Sequence, residues 1–211
     1  NLSNEGVPAE GVHLTGNVMI DALKSIESSV DSSPILLSLG LGQHDYSVAT
    51  LHRPSNVDSV DALHQCLALL KMAAEHGTVV FPMHPRTRQS IRNKGMDTEF
   101  RKLDNLMIIE PQGYADFMHL VKNSRFIMTD SGGIQSEASY LRTPCITLRE
   151  STEHLLTISE GTNVLTGFNI DAVGKAIDEA LVFDRDDYTI PPLLDGKAAE
   201  RIVRILNDYL L

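Results

Sequence analysis

The run Asp130-Ser131-Gly132-Gly133-Ile134-Gln135-Ser136-Glu137 stands where a β-prone stretch, Arg125 to Thr129, gives way to a helical pattern. Two successive glycines at such a junction let a ligand come close to the main chain. The helix N-terminus supplies unpaired N–H groups and a partial positive charge, and Ser131 adds a hydroxyl, so the turn suits a phosphate or pyrophosphate. Glu137, six positions after Ser131, lies nearly two turns into the helix, where a carboxylate can accept hydrogen bonds from a ribose diol. The plainer alternative makes Ser-Gly-Gly a helix cap and Glu137 a solvated acid. Residue type favours a ligand for the turn and, taken alone, the plainer role for Glu137. The spacing matches neither Gly-x-Gly-x-x-Gly nor Gly-x-x-x-x-Gly-Lys-Ser/Thr, which counts against a dinucleotide fingerprint or a P-loop.

Three more loops follow strand-like runs. Thr50-Leu51-His52-Arg53-Pro54-Ser55-Asn56 comes after Tyr46 to Leu51. In open α/β sheets ligands bind at the carboxyl ends of strands, so His52 can supply a proton or hydrogen bond there. Arg53 can hold an anionic oxygen, or equally pair with one of the many acids. Phe81-Pro82-Met83-His84-Pro85-Arg86-Thr87-Arg88 gathers cationic side chains at a proline-stiffened turn; for Arg86 and Arg88 pairing with acids is the favoured reading. Leu148-Arg149-Glu150-Ser151-Thr152-Glu153-His154 follows Cys145 to Leu148, and its mixture suits sugar hydroxyls and phosphate but also any solvated loop. A metal is not expected: the eight histidines are scattered, with no His-x-x-x-His or Cys-x-x-Cys pair. Gly-x-Ser-x-Gly is absent too, against a serine hydrolase.

The elements that must carry these loops alternate between short β-prone runs and 3.6-period segments, the pattern of a parallel sheet covered by helices on both faces. Strands are expected at Val12 to Thr15, Tyr46 to Leu51, Thr78 to Met83, Leu106 to Glu110, Arg125 to Thr129 and Cys145 to Leu148. After Asp58, read as an N-cap, Val60, Leu63, Leu67, Leu70 and Ala74 share one face of a deeply packed helix that Gly77 stops. Further helices are expected over Tyr114 to Asn123, from Gly132, and over Asp171 to Phe183. Asp184 to Pro192 reads as a linker. Beyond it Ala199, Ile202, Val203, Leu206 and Leu210 form the apolar stripe of a terminal helix.

At 211 residues one large domain is the default. A formal net charge of -10, from 18 Lys+Arg against 28 Asp+Glu, repels phosphate backbones and anionic bilayers over most of the surface, so general nucleic-acid or membrane-surface binding is not expected. Only two cysteines occur, Cys66 and Cys145, which indicates no disulfide scaffold and suits a reducing cytoplasm. No apolar run approaches the roughly 20 residues of a membrane span, and the start lacks the basic and apolar regions of a signal peptide. The chain does not begin with Met, which raises the expectation of a piece of something longer.

The blocks Thr50-Leu51-His52-Arg53-Pro54, Phe81 to Thr87, Asp130 to Gln135, and Arg149 to Glu153 with Gly161-Thr162-Asn163 together resemble one family, the non-hydrolysing UDP-N-acetylglucosamine 2-epimerases. The resemblance runs from Gly16-Asn17, similar to the family's Thr-Gly-Asn junction, to the terminal helix. It implies a Rossmann-like three-layer α/β fold, a parallel sheet with helices on both faces, that forms the second domain of a GT-B-like two-domain architecture. Residues 1–194 would be a UDP-binding domain, with 1–30 resembling the interdomain junction and first helix. Residues 195–211 would be a helix that docks on this domain or crosses back to the absent first one. The family eliminates UDP to give a 2-acetamidoglucal and adds it back on the other face, converting UDP-N-acetylglucosamine to UDP-N-acetylmannosamine. Its acid and base carboxylates come chiefly from the first domain, so this chain alone is expected to be inactive.

The resemblance carries over the leaving-group half of the site. His52 matches the histidine at the diphosphate and serves as the expected catalytic residue, with Arg53 beside it. Ser131, Gly132 and Gly133 match the phosphate turn. Glu137 matches the ribose acid, and Gln112 and Phe117 match positions that receive uracil; Phe117 read by itself is plain helix core. Many members have Thr-Glu-Arg-Pro-Glu where this chain has Thr152-Glu153-His154-Leu155-Leu156, so a permanent charge beside the nucleotide becomes a conditional one at His154. The ligands implied are UDP and a UDP-N-acetylhexosamine, with no cofactor and no metal. The partner implied is the first domain, and full-length relatives are often homodimers. Two competing functions stand beside it: the donor-binding half of a GT-B glycosyltransferase, and a non-catalytic nucleotide-sugar-binding module.

Overall fold

The computed structural model describes residues 2–210; residues 1 and 211, the outer bounds of the two expected segments, lie outside them. Six short strands are β1 (Tyr46–Thr50), β2 (Thr78–Pro82), β3 (Leu106–Ile109), β4 (Ile127–Thr129), β5 (Cys145–Thr147) and β6 (Asn163–Leu165). All pair in parallel in the order β3-β2-β1-β4-β5-β6. Before them run α1 (Val18–Ser25), α2 (Glu27–Asp31) and α3 (Ile35–Leu39). Between them run α4 (Pro54–Val57), α5 (Val60–Ala74), α6 (Pro85–Asn93), α7 (Asp97–Arg101), α8 (Tyr114–Lys122), α9 (Gly133–Tyr140) and α10 (Leu155–Ser159), and after them α11 (Ile170–Leu181) and α12 (Ala198–Leu210). This is a Rossmann-like three-layer α/β fold.

Alternation along the strands builds the layers, because successive side chains point to opposite faces. Ala49, Val79, Phe81, Met128 and Ile146 enter a core with Leu63, Leu70, Phe100 and Ile177, from α5, α7 and α11. Tyr46, Val48, Val80, Ile127 and Cys145 enter the opposite core with Leu23, Val30, Met118 and Ala138, from α1, α2, α8 and α9. The buried Tyr46 hydroxyl is satisfied, donating to the Leu120 carbonyl at 2.7 Å. Cys66 and Cys145 are buried and unpaired with each other, and burial pushes both thiols up to about 12.

Several local expectations are corrected. Val12 to Thr15 is not a strand; the sheet ends at β3 and β6, and the Thr15 carbonyl is used instead by Arg201 Nη1 at 3.1 Å. β6 lies outside the expected strands: its three residues begin with a polar asparagine. The N-cap of α5 is Ser59, whose side chain accepts from Ala62 N–H, while Asp58 turns to the Arg86 guanidinium. Nor is Asp184 to Pro192 a free tether. Arg185 plugs the lower end of the sheet, donating to the carbonyls of Lys122 (2.9 Å), Ser124 and Arg125 (3.2 Å). The start of α12 is pinned to α1, where Asp21 accepts from the Ala198 and Ala199 amides at 3.1 and 2.8 Å. Further along α12, Val203, Leu206, Tyr209 and Leu210 are exposed. No helix among the described residues is long and apolar enough to cross a membrane.

Candidate functional site

After β1 the chain fills one side of the sheet, then returns to place β4 on the other side of β1. Two adjacent strands whose following loops diverge leave a crevice at their carboxyl ends. The His52 loop and the Asp130 turn face each other there.

Asp130 is the node that joins them. Its carboxylate is fully buried, and Oδ2 accepts from the main-chain N–H groups of Arg53 at 2.8 Å and His52 at 2.9 Å, and from Asn56 Nδ2 at 3.0 Å. Its Oδ1 lies 2.8 Å from His52 Nδ1. Burial by itself raises this carboxyl, but the bonds from the His52 ring and from the Arg53 and His52 amides outweigh it and leave it below its ordinary value. Asp130 thus fixes which His52 nitrogen is held and turns Nε2 away from the protein acid. The Asp130 carbonyl also accepts from Arg53 Nε at 2.8 Å, so Arg53 does not pair with a carboxylate there. Arg53 and Arg149 both line a cavity of about 260 Å³ between the loops that follow β1 and β5.

The Ser131-Gly132-Gly133 turn opens α9, whose N-cap position, Gly132, contributes no side-chain cap. A side chain at either glycine would have to push aside the end of a neighbouring side chain. A Cβ on Gly132 would stand 2.8 Å from Glu153 Oε1 and 3.5 Å from His154 Nε2; one on Gly133 would strike Met19 Cε at 2.6 Å. Beneath the turn lies a buried polar network that the sequence did not signal. Gln135 donates to the Ser131 carbonyl at 3.1 Å and accepts from Thr152 Oγ1 at 2.6 Å and Asn163 Nδ2 at 3.0 Å. It therefore ties the turn to the loop after β5 and to β6.

In that loop Arg149 is bonded to Glu153, Nη2 to Oε2 at 2.9 Å, which holds the Glu153 carboxyl down to about 2. His154 lies between the two loops, with Nδ1 3.3 Å from Ser136 Oγ and Nε2 3.5 Å from Glu153 Oε1. The structure thus brings His154 to the turn through Ser136, although nothing in the loop's composition singled that contact out.

Glu137 is not a solvated acid: it is buried, and Oε1 accepts from the Tyr114 hydroxyl at 2.6 Å. Burial raises its carboxyl, and the tyrosine bond offsets part of that rise. The same contact brings the loop after β3 and the start of α8 against α9. Gln112 lies in that loop, its Nε2 donating to the Glu110 carbonyl at 2.7 Å. Phe117 is half-buried and packs against the core. The second basic cluster resolves into ion pairs, Arg86 with Asp58 and Arg88 with Glu110 at 2.8 Å. His84 stacks obliquely on His52, ring centroids 5.3 Å apart, and is lowered by desolvation and then by repulsion from His52.

Comparison with known proteins adds to this geometry. The family model for UDP-N-acetylglucosamine 2-epimerase matches residues 1–207. The UDP-N-acetylglucosamine 2-epimerase of Methanocaldococcus jannaschii is 35% identical over 98% of this chain and 57% of its own length. A crystal structure of the M. jannaschii enzyme in complex with UDP-GlcNAc and UDP superposes with a TM-score of 0.85 at 34% identity, covering 98% of this chain and 57% of that one. The UDP-2,3-diacetamido-2,3-dideoxy-D-glucuronate 2-epimerase of Pseudomonas aeruginosa is 35% identical over 82% of this chain and 47% of its length. The chain spans about half the length of these relatives.

Proposed function

The chain belongs to the UDP-N-acetylglucosamine 2-epimerase family of isomerases, and on that premise we propose that it is the UDP-binding, leaving-group half of such an enzyme. The observation that carries this reading is the crevice at β1 and β4: a helix N-terminus without a side-chain cap at Ser131-Gly132-Gly133, flanked by the Asp130-held His52 and the buried Glu137. The diphosphate sits on the turn, Glu137 takes the ribose, and the loop at Gln112 receives the base alongside Phe117. In the reaction a base removes the proton from C2 of the sugar, the C1–O bond breaks, and its electron pair leaves on UDP. His52 stabilises that growing charge and can hand a proton to the departing oxygen through Nε2, with Asp130 stabilising the imidazolium. Return of a proton to the opposite face of C2 and re-addition of UDP give the epimer. The carboxylates that handle the C2 proton come from a preceding domain, which the exposed side of α12 helps to seat. Residues 1–194 form the nucleotide domain in this reading.

Calorimetric titration of the chain with UDP, with UMP and NAD as comparisons and no metal added, tests it. Binding of UDP that weakens in Ser131→Glu and Glu137→Ala supports the assignment, and adding the first domain in trans then restores epimerisation. A folded sample that ignores UDP overturns it.

A further inference from the structure

We infer that Tyr114 is a positioning residue for sugar recognition: its hydroxyl, bonded to Glu137 Oε1, aims the other carboxylate oxygen at the ribose diol and makes the site discriminate hydroxylated from deoxygenated ribose. The inference rests on the nucleotide reading above and adds a residue to it.

Glu137 is 2% exposed, and a carboxylate so placed must have its charge matched by donors or it will take up a proton. Among the described residues the Tyr114 hydroxyl, at 2.6 Å, is the one side-chain donor to it. The charged groups on elements packed against α9 are engaged elsewhere. On α1, Asp21 accepts from the Ala198 and Ala199 amides, and Lys24 donates to the Asp195 carbonyl. Ahead of α10, His154 is at Ser136 and Glu153, and Arg149 is at Glu153. Two lone-pair directions on Oε1 and Oε2 would otherwise leave the carboxylate free to rotate between partners. A short bond to one oxygen removes that freedom before the ligand arrives, which lowers the ordering cost of binding.

Tyr114 itself is 43% exposed at the first residue of α8, so it lies at the surface rather than in a core. Removing its hydroxyl therefore costs some stability, because it takes the side-chain donor from a buried carboxylate, but the exposed ring leaves the core packing in place. Nothing in the sequence distinguished it from an ordinary helix-start aromatic; the contact crosses from the loop after β3 to the helix after β4.

The test compares wild type and Tyr114→Phe, with a cooperative melting transition well above the titration temperature in both as the folding control, in titrations with UDP and with 2′,3′-dideoxy-UDP. Wild type binds UDP more tightly than the dideoxy ligand, and Tyr114→Phe loses about three- to tenfold for UDP while its affinity for the dideoxy ligand is unchanged. With the tyrosine bond gone, burial raises the Glu137 carboxyl further, so the loss of UDP affinity on acidification begins at higher pH in Tyr114→Phe than in wild type. Equal losses for both ligands, unchanged or tighter UDP binding in the variant, or an unmoved pH profile overturn the role of Tyr114 and leave the nucleotide site standing. A wild type that binds no UDP takes both readings down together.

Discussion

Replacing Asp130 by asparagine isolates what its charge does. An asparagine keeps the shape but offers one acceptor oxygen and one NH2 group. Three donors converge on Oδ2, the amides of Arg53 and His52 and Asn56 Nδ2, so the new carbonyl oxygen must take that place. The NH2 group then points at His52 Nδ1, 2.8 Å away in the parent, and forces that nitrogen to become an acceptor. The ring is driven to the tautomer protonated on Nε2, and the imidazolium, which needs protons on both nitrogens, loses its stabilising partner. Each surviving bond falls from charge-assisted to neutral, about 1 kcal/mol apiece, and relief of the cost of burying a charge returns part of this, leaving a net loss of about 2 kcal/mol. For a chain of this size that is a melting temperature ~4–8 °C lower. UDP affinity should fall about tenfold or more once the ring loses the carboxylate that orients it. The pH dependence has a fixed sign. Asp130 sits below its unfolded value, so its stabilisation is full above the unfolded carboxyl range and is lost as pH falls through the folded value. Wild type should therefore shed stability on acidification below pH ~4, and Asp130→Asn should lose less over the same interval. Long-range proton–nitrogen NMR of His52 reads the tautomer directly, beside melting curves and UDP titrations. Retention of the Nδ1–H tautomer in the variant, with melting and affinity unchanged, would refute the coupling of Asp130 to His52.

Arg185→Ala strands the Lys122, Ser124 and Arg125 carbonyls; it should cost on the order of 3 kcal/mol in chemical unfolding, with partial recovery in Arg185→Lys and no change in nucleotide specificity. Gly161→Ala sets a Cβ 2.5 Å from Ser139 Oγ and against the Thr157 main chain, and thermal melting should show a loss of about 2 kcal/mol. His154→Arg converts a conditional cation beside Ser136 into a permanent one, so UDP binding at pH 8 should tighten about three- to tenfold in calorimetry. No tightening would mean that this side chain does not face the diphosphate.

Which parts of this molecule were legible in one dimension follows from where each signal resides. The strands Tyr46–Thr50 and Thr78–Pro82 were visible because alternate residues must serve two cores, and the helix Val60–Ala74 because its period of apolar residues serves one. Val12 to Thr15 has a strand's composition, yet a strand is a relation to a neighbour, and the sheet ends elsewhere. β6 is the converse, three residues made a strand by pairing with β5.

The site divides in the same way. A crevice built from the ends of strands takes each side chain from a different loop, so residue types and their loops could be read while their pairings could not. His52 and the glycine turn announce a phosphate site by what they are. Asp130 reads as one acid among 28 until folding sets it against donors near residue 53, and Glu137 reads as a surface acid until Tyr114 and the helix around it exclude water. Gln135 reads as filler until it joins Ser131, Thr152 and Asn163. All three are buried polar groups whose meaning depends on a distant partner, and burying them is tolerable only because that partner is present. Substitutions there should therefore act in pairs. Changing Tyr114 and Glu137 together should weaken UDP binding less than the sum of the two single losses, a coupling that two independent contacts to the ligand would not produce.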